Sequence, residues 1–228
     1  MFCGLTEMIM SSLPDLPRLI SEPVYSLDEA SLFTWAVHSA RMLAKSKRQI
    51  RNAFTDALSC QKKSGSGYNQ DSFAETAALI GHSYIVGDNF INMELIKKLN
   101  SLGIGVITSE HVRGEDIDKQ ARGLFKEPFW YFAQQYYGAA MHLFKSGKIS
   151  GIIYVSAFSC GVDSVVTELI RSSINDFPFL ILKIDEHTGE AALNTRIEAF
   201  ADMLGRRASI GDNRAQDGQY LACRQSII

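Results

Sequence analysis

Cys160 is the residue best placed for chemistry in this sequence, because it falls in a turn between a predicted strand and a predicted helix. The apolar run 151–155 precedes it, and a helical pattern that begins near Val165 follows it. Open α/β sheets bind ligands at the carboxyl ends of their strands, and the start of a helix favours an anionic thiolate. The thiolate is the form of cysteine that attacks electrophiles and binds metals. The structural alternative is that Cys160 is a small buried apolar side chain.

Polar and ionisable side chains also follow the other three predicted strands, and the four loops share one edge of a parallel sheet. Three of the five histidines of the chain lie in these loops. Taken singly, such residues are also common as turn formers and helix caps, which is a sufficient reading of Asp88, Asp163 and Ser164. The residues that we expect to line a pocket at this edge are His82, Ser83, Tyr84, Ser156, Ser159, Asp185, Glu186, His187, Glu190 and Arg196.

The run 185–187, Asp-Glu-His, is the densest group of ionisable residues at a predicted strand end. Such groups are costly to bury unless they are paired or bound. Arg196 is predicted to pair with Glu190 and orient this loop, so an ion-paired loop between two helices is the structural alternative. Cys160, His187 and Glu186 are also the residue types of a thiol-enzyme triad.

Strands and helices alternate from residue 76 onward. Near-continuous apolar strands between helices predict an α/β domain, with a parallel sheet of four strands covered by helices on both faces. The predicted strands are 76–81, 104–108, 151–155 and 178–184. The predicted helices are 91–102, 128–145, one that follows Cys160, and 193–204.

The remaining segments predict four regions along the chain. Residues 1–26 form a leader interrupted by prolines, which we interpret as the remnant of a preceding domain. Residues 27–67 form a long helical arm, capped by Ser26 and closed by a Gly/Ser hinge. The α/β domain spans 76–204, and the tail 205–228 is predicted to be weakly ordered because it has no sustained periodicity.

The composition is that of a soluble globular protein, with 46% hydrophobic residues and a formal net charge of −2 among 228 residues. The charge gives no electrostatic basis for binding nucleic acid, and no apolar run approaches the roughly 20 residues of a membrane span. Four widely spaced cysteines fit a reducing, cytoplasmic setting rather than a disulfide framework or a zinc knuckle. Neither a dinucleotide-binding glycine motif nor a P-loop is present in the sequence.

Four segments, in order, resemble the D-component superfamily of 2-hydroxyacyl-CoA dehydratases, in particular its activase-associated, double-cubane-type members. The run 185–190, Asp-Glu-His-Thr-Gly-Glu, is the most specific of them. The resemblance covers about residues 76–204 and touches 2–8. The four segments are 80–84 with Asp88 and 91–92, then 156–164, 185–190 and 195–200.

The resemblance implies flavodoxin-like, that is Rossmann-like, domains around an iron–sulfur cluster of the 4Fe-4S type, with cysteine ligands from different domains. It implies low-potential electron transfer in anaerobic metabolism, with an ATP-dependent activase and dehydratase-type subunits as partners. Cys160 matches the cluster cysteine of the last domain, whereas the motif around Cys3 does not match. Val162 and Ser83 stand where the family usually has proline. The chain then corresponds to the carboxyl-terminal part of a longer or split family member, and we expect it to be inactive alone.

Three hypotheses therefore stand. In the first, the chain is a fragment of an iron–sulfur redox protein that contributes Cys160 and part of the active-site rim. Since a cubane cluster needs several thiolates, we expect the cluster to be absent or substoichiometric in this chain alone. In the second, the chain is a metal-free module that docks to an activase or dehydratase partner, and the helical arm offers a homodimer contact. In the third, it is a thiol enzyme that uses Cys160 and His187.

Overall fold

The computed structural model describes residues 4–17, 19–24, 29–64, 73–124, 126 and 128–224, with the backbone alone for 61–64 and 210–224. The predicted cap at Ser26, Cys3 and the hinge residues 65–67 lie outside the described residues. The chain divides into two compact units, Met1–Gly67 and Tyr68–Ile228.

The first unit is helical, and the helical stretch predicted from about residue 27 to 62 is interrupted between two α-helices. The helices are α1 (Leu5–Ser12), α2 (Glu29–Ser39), a short 3-10 helix (Ala40–Leu43) and α3 (Lys47–Ser64). The break occurs because Ala44 adopts a left-handed conformation, with φ of 49°. Ser46 then caps α3: its backbone NH donates to Gln49 Oε1 at 3.0 Å, and its hydroxyl accepts from the Gln49 NH at 3.3 Å. This Ser-x-x-Gln capping box is visible in the sequence and marks a helix start.

Packing between α2 and α3 is centred on one aromatic pair. The rings of Phe33 and Phe54 lie 5.4 Å apart, edge to face, and the Arg51 guanidinium lies 4.6 Å from the centre of the Phe33 ring. No residue of α1 or α2 is buried.

The second unit confirms the predicted α/β fold, with one four-stranded sheet whose strands are all parallel. The strands are β1 (Glu75–Gly81), β2 (Ile104–Thr108), β3 (Gly151–Ala157) and β4 (Phe179–Ile184). Their spatial order is β2-β1-β3-β4, which is the order of the flavodoxin-like fold.

Helices cover both faces of this sheet, because alternate strand residues point to opposite sides. In β3, Ile152 and Tyr154 pack with the core of one face, whereas Ile153 and Val155 pack with the core of the other. The first face receives residues of α6 (Gly114–Ala121), α7 (Tyr131–Ser146) and α8 (Gly161–Ile174). The second receives residues of α4 (Ser83–Val86), α5 (Leu95–Ser101) and α9 (Glu190–Arg224).

Two predicted helix boundaries differ most from the structure. The helix predicted to begin at 91 begins at Leu95, because buried Asn92 organises a loop before it. The Asn92 amide donates to the Ile85 and Val86 carbonyls at 2.9 Å, and its Oδ1 accepts from the Leu95 NH at 3.1 Å. The final helix was predicted to end at Leu204 but continues to Arg224, and no proline interrupts it after Pro178. The backbone of 205–224 lies in this helix, and the weak order predicted for the tail 205–228 stays a prediction.

Among the residues that the structure describes, no helix is long and apolar enough to cross a membrane.

Candidate functional site

The order of the strands reverses between β1 and β3, and this is where open α/β sheets leave a ligand-binding crevice. Three side chains meet there: His82 follows β1, Cys160 follows β3, and Asp163 lies in the first turn of α8. One potential ligand atom of each lies within 4.8 Å of the others. We call these three residues the switch-point site.

Gly81 lets the ends of β1 and β3 approach closely beside His82. A Cβ atom at position 81 would lie 2.3 Å from the Val155 carbonyl oxygen, so any other residue forces the strands to shift. His82 follows directly in an extended conformation and stands at the N-cap position of α4. The close strand contact therefore determines where the imidazole emerges.

The turn after β3 holds Cys160 at the N-cap position of α8. Ser159 adopts a left-handed conformation with φ of 63°, which costs a non-glycine residue energy. The Cys160 NH donates to the Ala157 carbonyl at 3.3 Å, and its carbonyl accepts from the Ser164 hydroxyl at 3.0 Å. The Cys160 side chain makes no capping hydrogen bond and is half-buried, so its sulfur is available for other chemistry.

Asp163 is the least expected member of the site, because it is a carboxylate with 2% exposure. Its Oδ1 accepts a hydrogen bond from the Tyr154 hydroxyl at 3.0 Å and lies 3.4 Å from His82 Nε2. Its Oδ2 is buried and has no hydrogen-bond partner among the described residues. An unsatisfied buried polar atom costs about 1–3 kcal/mol, and it commonly marks a catalytic role or a missing water or ion.

His82 is held on both ring nitrogens. Nδ1 lies 3.1 Å from the Tyr136 hydroxyl, and Nε2 faces Asp163. The rings of Tyr84, Phe132 and Tyr136 surround the imidazole at centroid distances of 5.3, 5.3 and 5.1 Å. The imidazole therefore has one orientation, and its side chain keeps 17% exposure.

The tyrosine hydroxyls that contact the site stay protonated at neutral pH. Burial raises the pKa of both Tyr154 and Tyr136 well above the ordinary value, and the negative charge of Asp163 adds to each shift. The pKa of Tyr84 is raised for the same reasons, with Cys160 contributing as well. Tyr154 is therefore a permanent donor to Asp163.

The loop after β4, residues 185–190, satisfies its own polar groups instead. Asp185 Oδ1 accepts from the Thr188 hydroxyl at 2.6 Å and from the His187 NH at 3.1 Å. The Thr188 hydrogen bond, followed by the hydrogen bond and charge of His187, holds the pKa of Asp185 below its ordinary value. His187 Nε2 lies 3.7 Å from Glu186 Oε1, and these side chains are 85% and 81% exposed.

The predicted pairing of Arg196 with Glu190 is wrong. Glu190 pairs with Lys98 of α5 at 2.6 Å, and this contact lowers the pKa of Glu190. Arg196 Nη2 donates to the Ile181 carbonyl at 2.6 Å. The β4 loop is thus joined to α5 by an ion pair, and Arg196 is anchored to β4 itself.

The structure therefore separates the residues that the sequence grouped at one edge. His82 and Cys160 come together with Asp163, and no other His/Cys/Asp/Glu group of this kind occurs among the described residues. Ser156 is buried at the end of β3, whereas Ser83 and Ser159 are exposed. The thiol triad of Cys160, His187 and Glu186 gains no support, because the imidazole near Cys160 is that of His82.

Sequence reasoning missed three residues of the site: Asp163, Tyr136 and Tyr154. Asp163 has the sequence position of an ordinary helix-cap residue, and Tyr136 lies in a helix rich in aromatic residues. Tyr154 does carry a signal, since it places one hydroxyl in the otherwise aliphatic run 151–155. A buried hydroxyl in a central strand requires a partner, and that partner is Asp163.

A separate cavity of about 460 Å³ opens beside the site. Tyr84 belongs to both, because its ring packs on His82 and also lines the cavity. The other lining residues are mostly apolar, with the β4 loop on one side, and they include Phe90, Met93, Ala157, Ile184, Asp185 and Thr188.

Large aromatic side chains are exposed around the site. Tyr84 and Phe132 contact His82, Phe158 lies in the turn before Cys160, and Phe90 lines the cavity. Each of the four is more than half exposed, and Phe90 reaches 92%. We call these four residues the aromatic rim.

Comparison with known protein families gives a match over the first part of this chain. Residues 1–112 match a family described as the CoA enzyme activase uncharacterised domain. The match includes the helical first unit, β1, His82 and β2, and it ends before Cys160. No curated protein matches the chain.

Proposed function

We propose that this chain is one component of a CoA-enzyme activation system and that Cys160 supplies one thiolate ligand of an iron–sulfur cluster whose other ligands come from elsewhere. The observation that carries the proposal is the position of Cys160, a half-buried thiol free of structural hydrogen bonds at the switch point of the sheet. The family match of residues 1–112 and the sequence resemblance to dehydratase-related proteins support the same system.

The residues present fit one ligand of such a cluster and do not fit the complete set. Cubane clusters are held by several cysteine thiolates. Cys160 is the one cysteine at the site among the described side chains, and Cys60 belongs to helix α3 of the first unit. The side chains of Cys3 and Cys223 lie outside the described part of the chain.

A cluster bound at this edge would supply one-electron redox chemistry. The residues of this chain position and shield it: the Ser159 turn holds the thiol, and the aromatic rim provides an apolar surface around it. Exposed aromatic side chains gathered at one edge are typical of a surface that another protein covers. An activase or dehydratase-type partner is the kind of protein that this proposal requires there.

Anaerobic reconstitution with ferrous iron, sulfide and excess dithiothreitol tests the cluster ligand. The small thiol occupies the missing ligand positions, so a single protein thiolate is sufficient to retain some cluster. We expect substoichiometric cluster absorbance and iron in the wild type, and loss of both in Cys160→Ser. Cys60→Ser is the matched control and should behave like the wild type.

Equal cluster content in the wild type and Cys160→Ser would contradict the proposal, and so would a failure of the wild type to retain any cluster with dithiothreitol present. Circular dichroism of the variant checks that the loss is not a loss of fold.

A second function, a metal-free docking module, is favoured by the aromatic rim alone. It predicts that Phe158→Ser weakens co-purification with a co-expressed activase, whereas Cys160→Ser does not. Leu102→Ser is the matched control, because Leu102 is also a partly exposed apolar residue but precedes β2 rather than following a strand. Loss of binding in Cys160→Ser, with Phe158→Ser unaffected, would exclude the docking module.

A further inference from the structure

We propose that the switch-point site binds a single divalent transition-metal ion of the zinc class through Cys160 Sγ, His82 Nε2 and Asp163 Oδ2. This inference goes beyond the iron–sulfur cluster and is an alternative use of the same thiolate, because Cys160 cannot bind both at once; the other two ligands come from this chain alone. One possible ligand atom of each residue already lies within 4.8 Å of those of the other two.

The set of donor atoms fits such an ion. Thiolate and imidazole are the ligands that zinc-class ions prefer, and a carboxylate oxygen is a common third ligand. Mg²⁺ and Ca²⁺ require oxygen ligands and are disfavoured by the sulfur. Three protein ligands leave one position of a tetrahedral ion open to water or to another molecule. The partial exposure of Cys160 and His82 leaves room for that fourth ligand.

The unpartnered carboxylate oxygen is independent support. Asp163 is only 2% exposed, and its Oδ2 has no hydrogen-bond donor among the described residues. Tyr154 donates to Oδ1, so Oδ2 is the carboxylate oxygen that remains available to a metal ion. A cation also offsets the repulsion between this carboxylate and a thiolate beside it.

The hydrogen bonds behind the ligands match those of known metal sites. A metal-bound histidine usually donates its other ring NH to a fixed acceptor, and this sets the tautomer. Here Tyr136 lies 3.1 Å from Nδ1, so a proton on Nδ1 leaves the Nε2 lone pair free. Tyr154 does the same for the carboxylate, because its hydrogen bond to Oδ1 leaves Oδ2 as the ligand atom. Both tyrosines are positioning residues.

Titration of the reduced, EDTA-treated full chain with Co²⁺ under anaerobic conditions tests this site. We expect one equivalent to bind with a thiolate-to-cobalt charge-transfer band, which Cys160→Ser abolishes. His82→Gln and Asp163→Asn should each weaken binding by more than about 100-fold, the upper end of what an outer hydrogen-bond partner contributes. Tyr136→Phe should weaken it by roughly 10–100-fold. His187→Gln is the matched histidine control and should bind like the wild type, and Mg²⁺ should not compete.

Binding that is unchanged in both His82→Gln and Asp163→Asn overturns the inference, as does the absence of one-to-one binding in the wild type. If circular dichroism shows that Asp163→Asn does not fold, His82→Gln and Tyr136→Phe decide in its place. The inference and the proposed function fail separately. Cobalt binding without a Cys160-dependent cluster refutes only the proposed function, whereas a Cys160-dependent cluster without stoichiometric cobalt refutes only the metal site.

Discussion

Two loops at the same edge of the sheet carry ionisable residues, and they differ in how those residues are satisfied. In the loop after β4, Asp185 closes a turn with Thr188, and Glu190 pairs with Lys98. At the switch point, Asp163 is buried with one oxygen unpartnered, and Cys160 makes no capping bond. The charged residues of the β4 loop stabilise local structure. The switch point instead leaves the Cys160 thiol and one Asp163 oxygen available to a ligand.

The difference shows that a density of charged residues is a weak indicator of a site. Asp185, Glu186 and His187 are consecutive and conspicuous, but their polar groups face water or each other. A buried polar atom without a hydrogen-bond partner is a stronger indicator of a site than a run of exposed charges. The folded state carries the free-energy cost of burying it, which suggests a function. Substitutions at the switch point should therefore have larger effects than matched substitutions in the β4 loop.

Replacing the glycine at each loop by alanine should give the largest difference in stability between the two loops. Gly81→Ala places a methyl group 2.3 Å from the Val155 carbonyl oxygen, so we expect a loss of about 3 kcal/mol or more in the free energy of unfolding. At Gly189 an added Cβ meets nothing within 4 Å, and Gly189→Ala should change stability by less than about 0.5 kcal/mol. Urea denaturation followed by circular dichroism measures both. Similar losses in the two variants would remove the structural contrast.

Removing one hydroxyl donor from each carboxylate should again affect the two loops differently. Tyr154→Phe leaves Asp163 buried without its hydrogen bond, and we expect a loss of about 1–3 kcal/mol. Tyr137→Phe is the control for a buried tyrosine whose hydroxyl contacts only Ser173 at 3.2 Å, and it should cost less. Thr188→Val should lower the thermal midpoint at neutral pH much less than Tyr154→Phe does, because water replaces most of the hydrogen bond that Asp185 loses. An unchanged midpoint for Tyr154→Phe would show that Asp163 does not depend on this bond.

Much of this contrast between the two loops could not be predicted from the sequence. Apolar strand runs and helix periodicity predicted the parallel sheet, and strand ends predicted the edge where His82 and Cys160 lie. These follow from local patterns. That Asp163 is buried depends on how α8 lies against Tyr154, which is a tertiary contact between residues nine positions apart. The start of a second helix within the helical arm, by contrast, could be predicted from the capping box at Ser46 and Gln49.

Alkylation of the two described cysteines should show that the Cys160 thiol binds a metal ion and that the Cys60 thiol does not. Cys60 is exposed, whereas Cys160 is half-buried, so reagent reaches the Cys60 sulfur more easily. We expect iodoacetamide to modify Cys60 faster, and Zn²⁺ to slow modification of Cys160 but not of Cys60. Peptide mass spectrometry against time measures both rates. Equal protection of the two thiols would indicate nonspecific metal binding.

The smallest expected effect is a pH dependence in the β4 loop. Since the pKa of Asp185 is lowered in the folded chain, its ionised form stabilises the fold above the ordinary value of 3.8. That contribution is lost as the pH falls from 3.8 through the lower folded pKa. Thr188→Val removes the largest cause and should move the pKa of Asp185 back toward 3.8, as a carboxyl NMR titration will measure. An unmoved pKa would show that the turn does not hold this carboxylate.

Anomalous diffraction at the zinc edge, from crystals of the chain grown with Zn²⁺, locates a bound metal directly. We expect one strong peak bounded by Cys160, His82 and Asp163, with distances of about 2.3 Å to sulfur and about 2.0–2.1 Å to nitrogen. A peak at His187 and Glu186 in the β4 loop, with none at the switch point, would overturn the proposed metal site.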